Sequence, residues 1–166
     1  MAAVVFAPAA RAQSCHPLAG TWALNVSASE MGPSLSFNPH YSVLSIRLRL
    51  DSRFGRIYQD WSFRGLHLDE NWAYSFQPDG LPHATDTHSV LYGVPTSVAA
   101  SWQNCTLIVD GYSSLFGLQI STINTYVFSP DGHTLTILQA ADSPIMHVSR
   151  RLMFERVAGA ASATSP

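Results

Sequence analysis

Leu18-Ala19-Gly20-Thr21-Trp22-Ala23-Leu24-Asn25 begins the first regular structure of this chain and decides its fold. A glycine lets the backbone approach a neighbour closely, and a tryptophan two positions later fills the space that this leaves. The pattern Gly-x-Trp is typical of a strand that closes the bottom of a barrel. We therefore predict a strand over residues 20–26, in which Gly20 and Trp22 are structural residues.

Apolar and polar residues alternate along the stretches that follow, as they do in half-buried strands. In the clearest of them, Tyr41 to Asp51, Leu44, Ile46, Leu48 and Leu50 fall on one face. Further strands are predicted at 56–64, 71–77, 86–92, 97–102, 106–110, 119–128, 134–139 and 147–156. No sustained helical period occurs. Short, regularly spaced strands indicate an all-β sandwich or barrel, and an antiparallel meander tends to close because closure removes exposed edges.

Turn residues separate these strands. Two of the turns look alike, Pro78-Asp79-Gly80 and Pro130-Asp131-Gly132, each preceded by Tyr-x-Phe-x. Proline presets φ and glycine accepts positive φ, so we predict a hairpin at both sites. Phe54-Gly55 and Asp110-Gly111 predict two further turns.

The composition limits the functions that the chain can have. It has 166 residues, of which 46% are hydrophobic and 12% charged, with a net charge of -2. The length fits one domain with its own core. A charged fraction well below roughly 25% argues against a disordered protein, and the absence of a basic run argues against binding nucleic acid. No phosphate loop or nucleophile motif appears, so no cofactor is expected.

Export is predicted from the N-terminus. Residues 2–10 are apolar and small, and Ala10-Arg11-Ala12 fits a signal-peptide cleavage site, so residues 1–12 are predicted to be a signal peptide. The apolar run is short and lacks a preceding basic residue, as though its true start lay upstream; the alternative is a frayed Ala-rich terminus. No stretch approaches the roughly 20 apolar residues of a membrane span. We expect a periplasmic or secreted protein with a disordered tail at 158–166.

Two cysteines occur, Cys15 and Cys105. An oxidising compartment permits a disulfide between them. By closing a long loop it would stabilise the folded state by on the order of 4 kcal/mol, because it lowers the entropy of the unfolded chain. Two free thiols are the alternative.

The chain resembles a family of small exported bacterial proteins at two places. The opening Gly20-Thr21-Trp22-Ala23-Leu24-Asn25 with Gly32-Pro33 is similar to the start of their mature part, and residues 129–136 with Phe154-Glu155-Arg156 resemble their last hairpin and closing strand. The resemblance implies an eight- to ten-stranded lipocalin-like (calycin) β-barrel over 18–157. It also implies that Trp22 packs under an arginine, Arg156 or Arg150. The middle of the chain departs from the family, and most members have no known function.

A barrel of this size holds side chains or one small ligand. We therefore expect a non-enzymatic barrel whose partner is a small hydrophobic or aromatic molecule. The alternative is that the same aromatic residues simply fill the core. The candidates for the pocket lining are Trp61, Phe63, Trp72, Tyr74, Phe76, Tyr92, Trp102 and Tyr126.

Two other functions stay open. A barrel enzyme would use His83, Asp86 or His88, which lie close together in the sequence but supply fewer ligands than a typical zinc site, so no metal is predicted. The other is a structural or interaction protein of the cell envelope with a filled core.

Overall fold

The computed structural model describes residues 18–31, 43–65, 69–85, 95–115 and 117–158. These residues form ten strands, and each pairs antiparallel with its neighbours, so the predicted all-β antiparallel barrel is confirmed. The strands are β1 (Gly20–Leu24), β2 (Val43–Arg53), β3 (Arg56–Gly65), β4 (Asp69–Phe76), β5 (Asp79–Ala84), β6 (Ser97–Gln103), β7 (Thr106–Leu115), β8 (Leu118–Phe128), β9 (Thr134–Ser143) and β10 (Met146–Arg156).

The sheet is a meander whose first and last strands join. β1 lies between β2 and β10, and the sheet order runs β4-β3-β2-β1-β10-β9-β8-β7-β6-β5. The two edges of the sheet are therefore β4 and β5, which follow one another in the chain but are not paired. β4 also approaches β6, so the barrel is nearly closed, with one seam between β4 and β5.

One predicted hairpin is confirmed and the other is wrong. At Pro130-Asp131-Gly132 the Ser129 amide donates to the Thr134 carbonyl at 3.0 Å, and β8 pairs with β9. At Pro78-Asp79-Gly80 the chain instead crosses the seam, because β5 pairs with β6 and not with β4. The Asp79 carboxylate there accepts the Leu81 amide at 2.9 Å, which bends the start of β5 away from a hairpin.

β7 and β5 also differ from the prediction. β7 continues through Asp110-Gly111 to Leu115, so that predicted turn is wrong. Position 111 is a glycine because a side chain has no room there: a Cβ would lie 2.5 Å from the Thr122 hydroxyl oxygen and 2.9 Å from Pro95.

β5 falls where no strand was predicted, while the strand predicted at 86–92 lies outside the described residues. The turn at Phe54-Gly55 is confirmed, with φ of 50° and 73°.

The core lies inside the barrel, on the faces that the alternation predicts. Alternate residues of the central strands face inward and are buried or half-buried, and most of the fully buried side chains are large. They include Trp22, Leu48, Leu50, Ile57, Phe76, Leu107, Tyr126, Leu135, Ile137 and Phe154. Their burial is the main favourable contribution to folding.

The two ends of the barrel differ in their connections. Phe54-Gly55, Asn104-Cys105 and residues 129–133 turn at the end where β1 begins and β10 finishes, which we call the closed end. The connections at the opposite, open end are residues 25–42, 66–68, 85–96, 116–117 and 144–145, and the longest two, 25–42 and 85–96, fall in large part outside the described residues. Within the described ranges no helix has the length and apolar character needed to cross a membrane. Residues 1–12 and 159–166, predicted as signal peptide and tail, lie outside the described part.

Candidate functional site

A row of polar side chains crosses the inner face of three strands at mid-depth. The register of the sheet sets Arg150 of β10 opposite Gln139 of β9, and Gln139 opposite Asn124 of β8. The Gln139 amide donates to the Asn124 side-chain oxygen at 2.8 Å, and Asn124 is only 8% exposed. We call Asn124, Gln139 and Arg150 the polar row. It lies among strands whose other inward residues are mostly apolar.

A second polar group lies one step nearer the closed end and spans the interior. The Gln59 side-chain oxygen, on β3, accepts hydrogen bonds from the Tyr126 hydroxyl and from the Trp61 indole nitrogen, both at 3.1 Å. Tyr126 belongs to β8, so this contact joins opposite walls of the barrel. The Tyr74 hydroxyl interacts with that of Tyr126. We call Gln59, Trp61, Tyr74 and Tyr126 the cross-brace.

The cross-brace separates a filled half of the interior from the half that faces the open end. Below it, Trp22, Phe128 and Phe154 are buried in an aromatic core, with ring centroids of Trp22 and Phe128 6.0 Å apart. Burial raises the pKa of Tyr126 to about 12 and raises the pKa of Tyr74, so both phenols are neutral donors at ordinary pH. The polar row lies on the other side of the cross-brace, toward the open end.

Two buried donors near this level have no acceptor in the described part of the chain. One is the Gln59 side-chain nitrogen and the other is Nε of Arg150. Desolvation by burial lowers the pKa of Arg150. Because native interiors satisfy most of their buried polar groups, these two donors mark the interior beside the polar row and the cross-brace as the candidate site.

At the closed end Arg156 is hydrogen-bonded, whereas the buried indole nitrogen of Trp22 beneath it has no acceptor among the described residues. Its guanidinium carbon lies 4.5 Å from the centre of the Trp22 ring, and it donates to the carbonyls of Ala19 and Gly132 at 3.0 and 2.8 Å. Arg156 is therefore the arginine that packs on Trp22, and Arg150 is not. A Cβ on Gly20 would lie 2.9 Å from this guanidinium, so Gly20 is small because Arg156 occupies the space.

Most of the predicted pocket residues lie inside the barrel. Trp61, Tyr74, Phe76 and Tyr126 are buried, and Trp72 stacks on Trp61 with ring centroids 6.0 Å apart. Phe63 is half-buried on the same inner face of β3, and Trp102 is 37% exposed near the closed end. Tyr92 lies outside the described residues. Their aromatic rings form the cross-brace and its surroundings, and their role in ligand binding stays a prediction.

The residues proposed for an enzyme come together only in part. His83 Nε2 lies 2.8 Å from the Asp79 carboxylate, a partner that the sequence analysis did not name. Hydrogen bonds from the Leu81 amide and from His83 lower the pKa of Asp79. Asp86 and His88 lie outside the described residues, and the described ones hold no group of three metal-binding side chains.

Cys105 takes part in a disulfide. Cys15 lies outside the described residues, so the pairing of Cys15 with Cys105 stays a prediction.

The polar row and Gln59 were missed as site residues in the sequence. Gln59, Asn124, Gln139 and Arg150 occupy inward positions of alternating strands, where apolar residues are the rule. A polar residue at an inward position was the signal that could have found them. Two depressions, of about 460 and 370 Å³, are largely lined by outward residues such as Tyr112 and Leu138, and the second is also bordered by Gln139 and Arg150.

No protein-family model matches the chain, and no curated protein shows significant similarity to it. Among solved structures, the chain is similar to secretory abundant heat soluble protein 4 from Ramazzottius varieornatus. The TM-score is 0.47 at 12% sequence identity, over 85% of this chain and 95% of that chain. A likeness of this size carries no information on ligand or activity.

Proposed function

We propose that this protein is an exported, non-enzymatic barrel that binds one small hydrophobic or aromatic molecule in the half of its interior nearer the open end. The observation that carries the proposal is that two buried donors on inward-facing residues, Gln59 Nε2 and Arg150 Nε, have no acceptor among the described residues. A ligand that reaches them would satisfy both, and its apolar part would be removed from water.

The cross-brace supports a position for such a ligand on its open side. Gln59, Trp61 and Tyr126 meet across the interior, so the space below them is occupied by side chains. On the open side, the inward residues next to the polar row are small or apolar, including Val98, Gly111, Ala141 and Val148. The ligand therefore reaches the site from the open end and stops at the cross-brace.

The experiment is a titration with amphiphiles of one chain length, a fatty alcohol and a fatty acid, followed by tryptophan fluorescence and native mass spectrometry. Ala141→Trp fills the interior beside the polar row, and we expect it to abolish binding. Ala140→Trp is the matched control, since Ala140 is exposed on the outer face of the same strand. If neither compound saturates the protein, or if both variants bind like the parent, the proposal fails.

A second candidate function, an interaction protein of the cell envelope, is favoured by one observation. Ile123, Val127 and Leu138 form an exposed apolar patch on the outer face of β8 and β9, with 50, 41 and 45% of their surfaces exposed. Apolar surface that stays in water is typical of an interaction site. Sedimentation of the parent and of Leu138→Ser tests it: self-association lost in the variant would favour this function, and a parent that is monomeric at all concentrations would count against self-association through this patch.

A further inference from the structure

The turn between β2 and β3 places a phenylalanine at the tip of the closed end. Phe54 is 96% exposed, the highest value among the large apolar residues that the structure describes. Single exposed apolar residues are common on protein surfaces, so exposure alone does not indicate a function. The backbone at Phe54 is what sets this residue apart.

Phe54 has a φ of 50°, in the left-handed region that bulky side chains avoid. Gly55 follows with a φ of 73°, and a two-residue turn in which both residues have positive φ favours Asn-Gly. Among the described residues, the other non-glycine with positive φ is Asn104, in the β6–β7 turn at the same end of the barrel. That turn has the residue type that its backbone favours, whereas the β2–β3 turn holds a fully exposed ring at a cost in backbone strain. Strain that persists in this way is typical of functional positions.

Two arginines flank this tip on the outer face of the sheet. Arg53 and Arg56 lie opposite each other in the register of β2 and β3. Arg53 Nε donates to the Asp51 carboxylate at 2.7 Å, while 60% of the Arg53 side chain stays exposed. Arg56 donates to the Ser75 hydroxyl at 3.0 Å. Hydrogen bonds therefore hold both guanidinium groups beside the exposed ring.

The β2–β3 hairpin as a whole is basic, although the chain is not. Residues 43–65 contain five arginines and two aspartates, a net charge of +3, whereas the whole chain carries -2. An exposed ring beside basic residues suits the surface of an anionic bilayer, where the ring enters the acyl boundary and the guanidinium groups bind lipid phosphates. A protein interface has an apolar core, and the residues on either side of Phe54 are arginine and glycine.

We propose that the β2–β3 tip docks on an anionic phospholipid surface, with the Phe54 ring inserted and with Arg53 and Arg56 at the level of the phosphate groups. The closed end of the barrel then rests on the bilayer, and the open end faces water. Such docking does not depend on whether the interior holds a ligand.

Flotation with vesicles tests the proposal, using phosphatidylcholine alone and phosphatidylcholine mixed with an equal part of phosphatidylglycerol. We expect the parent to bind the mixed vesicles and to be released as salt is added. Phe54→Asn is expected to weaken this binding roughly 10-fold, because the buried ring is lost. Asn accepts the left-handed backbone, so this variant should be at least as stable as the parent in a denaturant melt, and unfolding would not explain the loss.

Two matched controls separate the tip from general surface effects. Ile145 is 67% exposed in the β9–β10 turn at the open end, so Ile145→Asn should leave vesicle binding unchanged. Arg53→Gln is expected to weaken binding to the mixed vesicles roughly 5-fold, as the loss of one cation at an anionic surface would. Arg64→Gln, near the open end of the same hairpin, should have a much smaller effect because it lies well beyond the screening length of the salt from the tip.

Three results would overturn the proposal. The first is a parent that does not float with the mixed vesicles, or that binds phosphatidylcholine alone equally well. The second is a Phe54→Asn variant that binds like the parent. The third is an oligomer of the parent without lipid that Phe54→Asn dissociates, because a second copy would then cover the ring.

Discussion

At the scale of single residues, Gly20 and Trp22 of the Gly-x-Trp opening both pack against Arg156, which lies near the other end of the chain. Arg156 crosses Gly20, covers the Trp22 ring and donates to two backbone carbonyls. The absence of a side chain at Gly20 leaves room for the Arg156 guanidinium, and that guanidinium covers the Trp22 ring. A side chain on Gly20 displaces the guanidinium, and loss of the indole leaves the cation above a cavity.

Trp22→Ala tests the closed end directly. Trp22 is fully buried, so its removal leaves a large cavity, and we expect a loss of about 3–5 kcal/mol in the free energy of unfolding. Denaturant unfolding measures this loss. Trp102→Ala is the control, because Trp102 is 37% exposed and should cost clearly less. If Trp22→Ala has the same free energy of unfolding as the parent, the Trp22 side chain does not stabilise the barrel.

Gly20→Ala is predicted to act through Arg156. The added methyl group would lie 2.9 Å from the guanidinium, and overpacking of this kind costs about 1–3 kcal/mol. In an Arg156→Met background the same substitution should cost much less, because the crowded group is gone. A double-mutant cycle in denaturant measures the coupling, and additive effects would contradict the explanation.

The Gln59 side chain is predicted to be the main polar stabiliser of the interior. Gln59→Leu leaves the Tyr126 hydroxyl and the Trp61 indole without their acceptor, at a cost of about 1–3 kcal/mol for each buried donor. Tyr126→Phe keeps Gln59 bonded to Trp61 but leaves the buried Tyr74 hydroxyl without its partner, so it should cost about 1–3 kcal/mol, less than the loss of two acceptor contacts in Gln59→Leu. Thermal and denaturant melts compare them, and a Gln59→Leu variant as stable as Tyr126→Phe would contradict the cross-brace.

At the scale of secondary structure, the weak points are the two strands at the seam. β4 and β5 each pair on one side only, and the β5 register with β6 is broken between Asp79 and Pro82. Pro82 has no amide hydrogen to offer a neighbouring strand, and Asp79 and His83 place charge and polarity beside it. These features keep the β5 edge from pairing with other chains.

Hydrogen exchange is expected to show this difference between strands. Amides of β5 should exchange faster than those of β8, β9 and β10, which are paired on both sides along most of their length. The measurement is exchange followed by NMR or by mass spectrometry of peptides. Equal protection of β5 and β9 would mean that the seam is closed in solution.

At the scale of the whole molecule, the buried phenols link stability to alkaline pH. The pKa of Tyr126 is about 12 in the folded state against about 10 in an unfolded chain, so the unfolded state releases its proton first. The contribution of the buried Tyr126 phenol to the free energy of unfolding is complete below pH about 10. It is lost as the pH rises to about 12, and the loss is roughly 2–3 kcal/mol. Tyr74 acts in the same direction.

Unfolding measured along an alkaline series checks this dependence, with phenolate absorbance as the second readout. Tyr126→Phe is expected to flatten the decline above pH about 10, since one of the two buried phenols is gone. Tyr112→Phe, at a 53% exposed position, is the matched control and should decline like the parent. A parent whose stability does not change over this range would contradict the buried assignment of Tyr126.

The parts of the fold that could be predicted are those with strong local signals. Alternation of period two located β2, β3, β8 and β10 and their inward faces to within a few residues. The same signal failed for β5, where Gly80 and Pro82 break the pattern, and at Gly111, which looks like a turn residue but is needed for space. Pro-Asp-Gly predicted one true hairpin and one false one, because turn residues fix a local bend and not the strand that pairs after it.

The sequence by itself determined the all-β class and the inward faces, because local alternation carries that information. The packing of Trp22 under Arg156 or Arg150 was implied by a resemblance, and the structure selected Arg156. The tertiary structure alone decided the seam between β4 and β5, the cross-brace and the polar row. Gln59 and Tyr126 are far apart in the chain and meet only after the barrel closes. In the same way, the sequence offered Arg150 only as a candidate to pack on Trp22, and the closed barrel shows its Nε buried with no acceptor among the described residues.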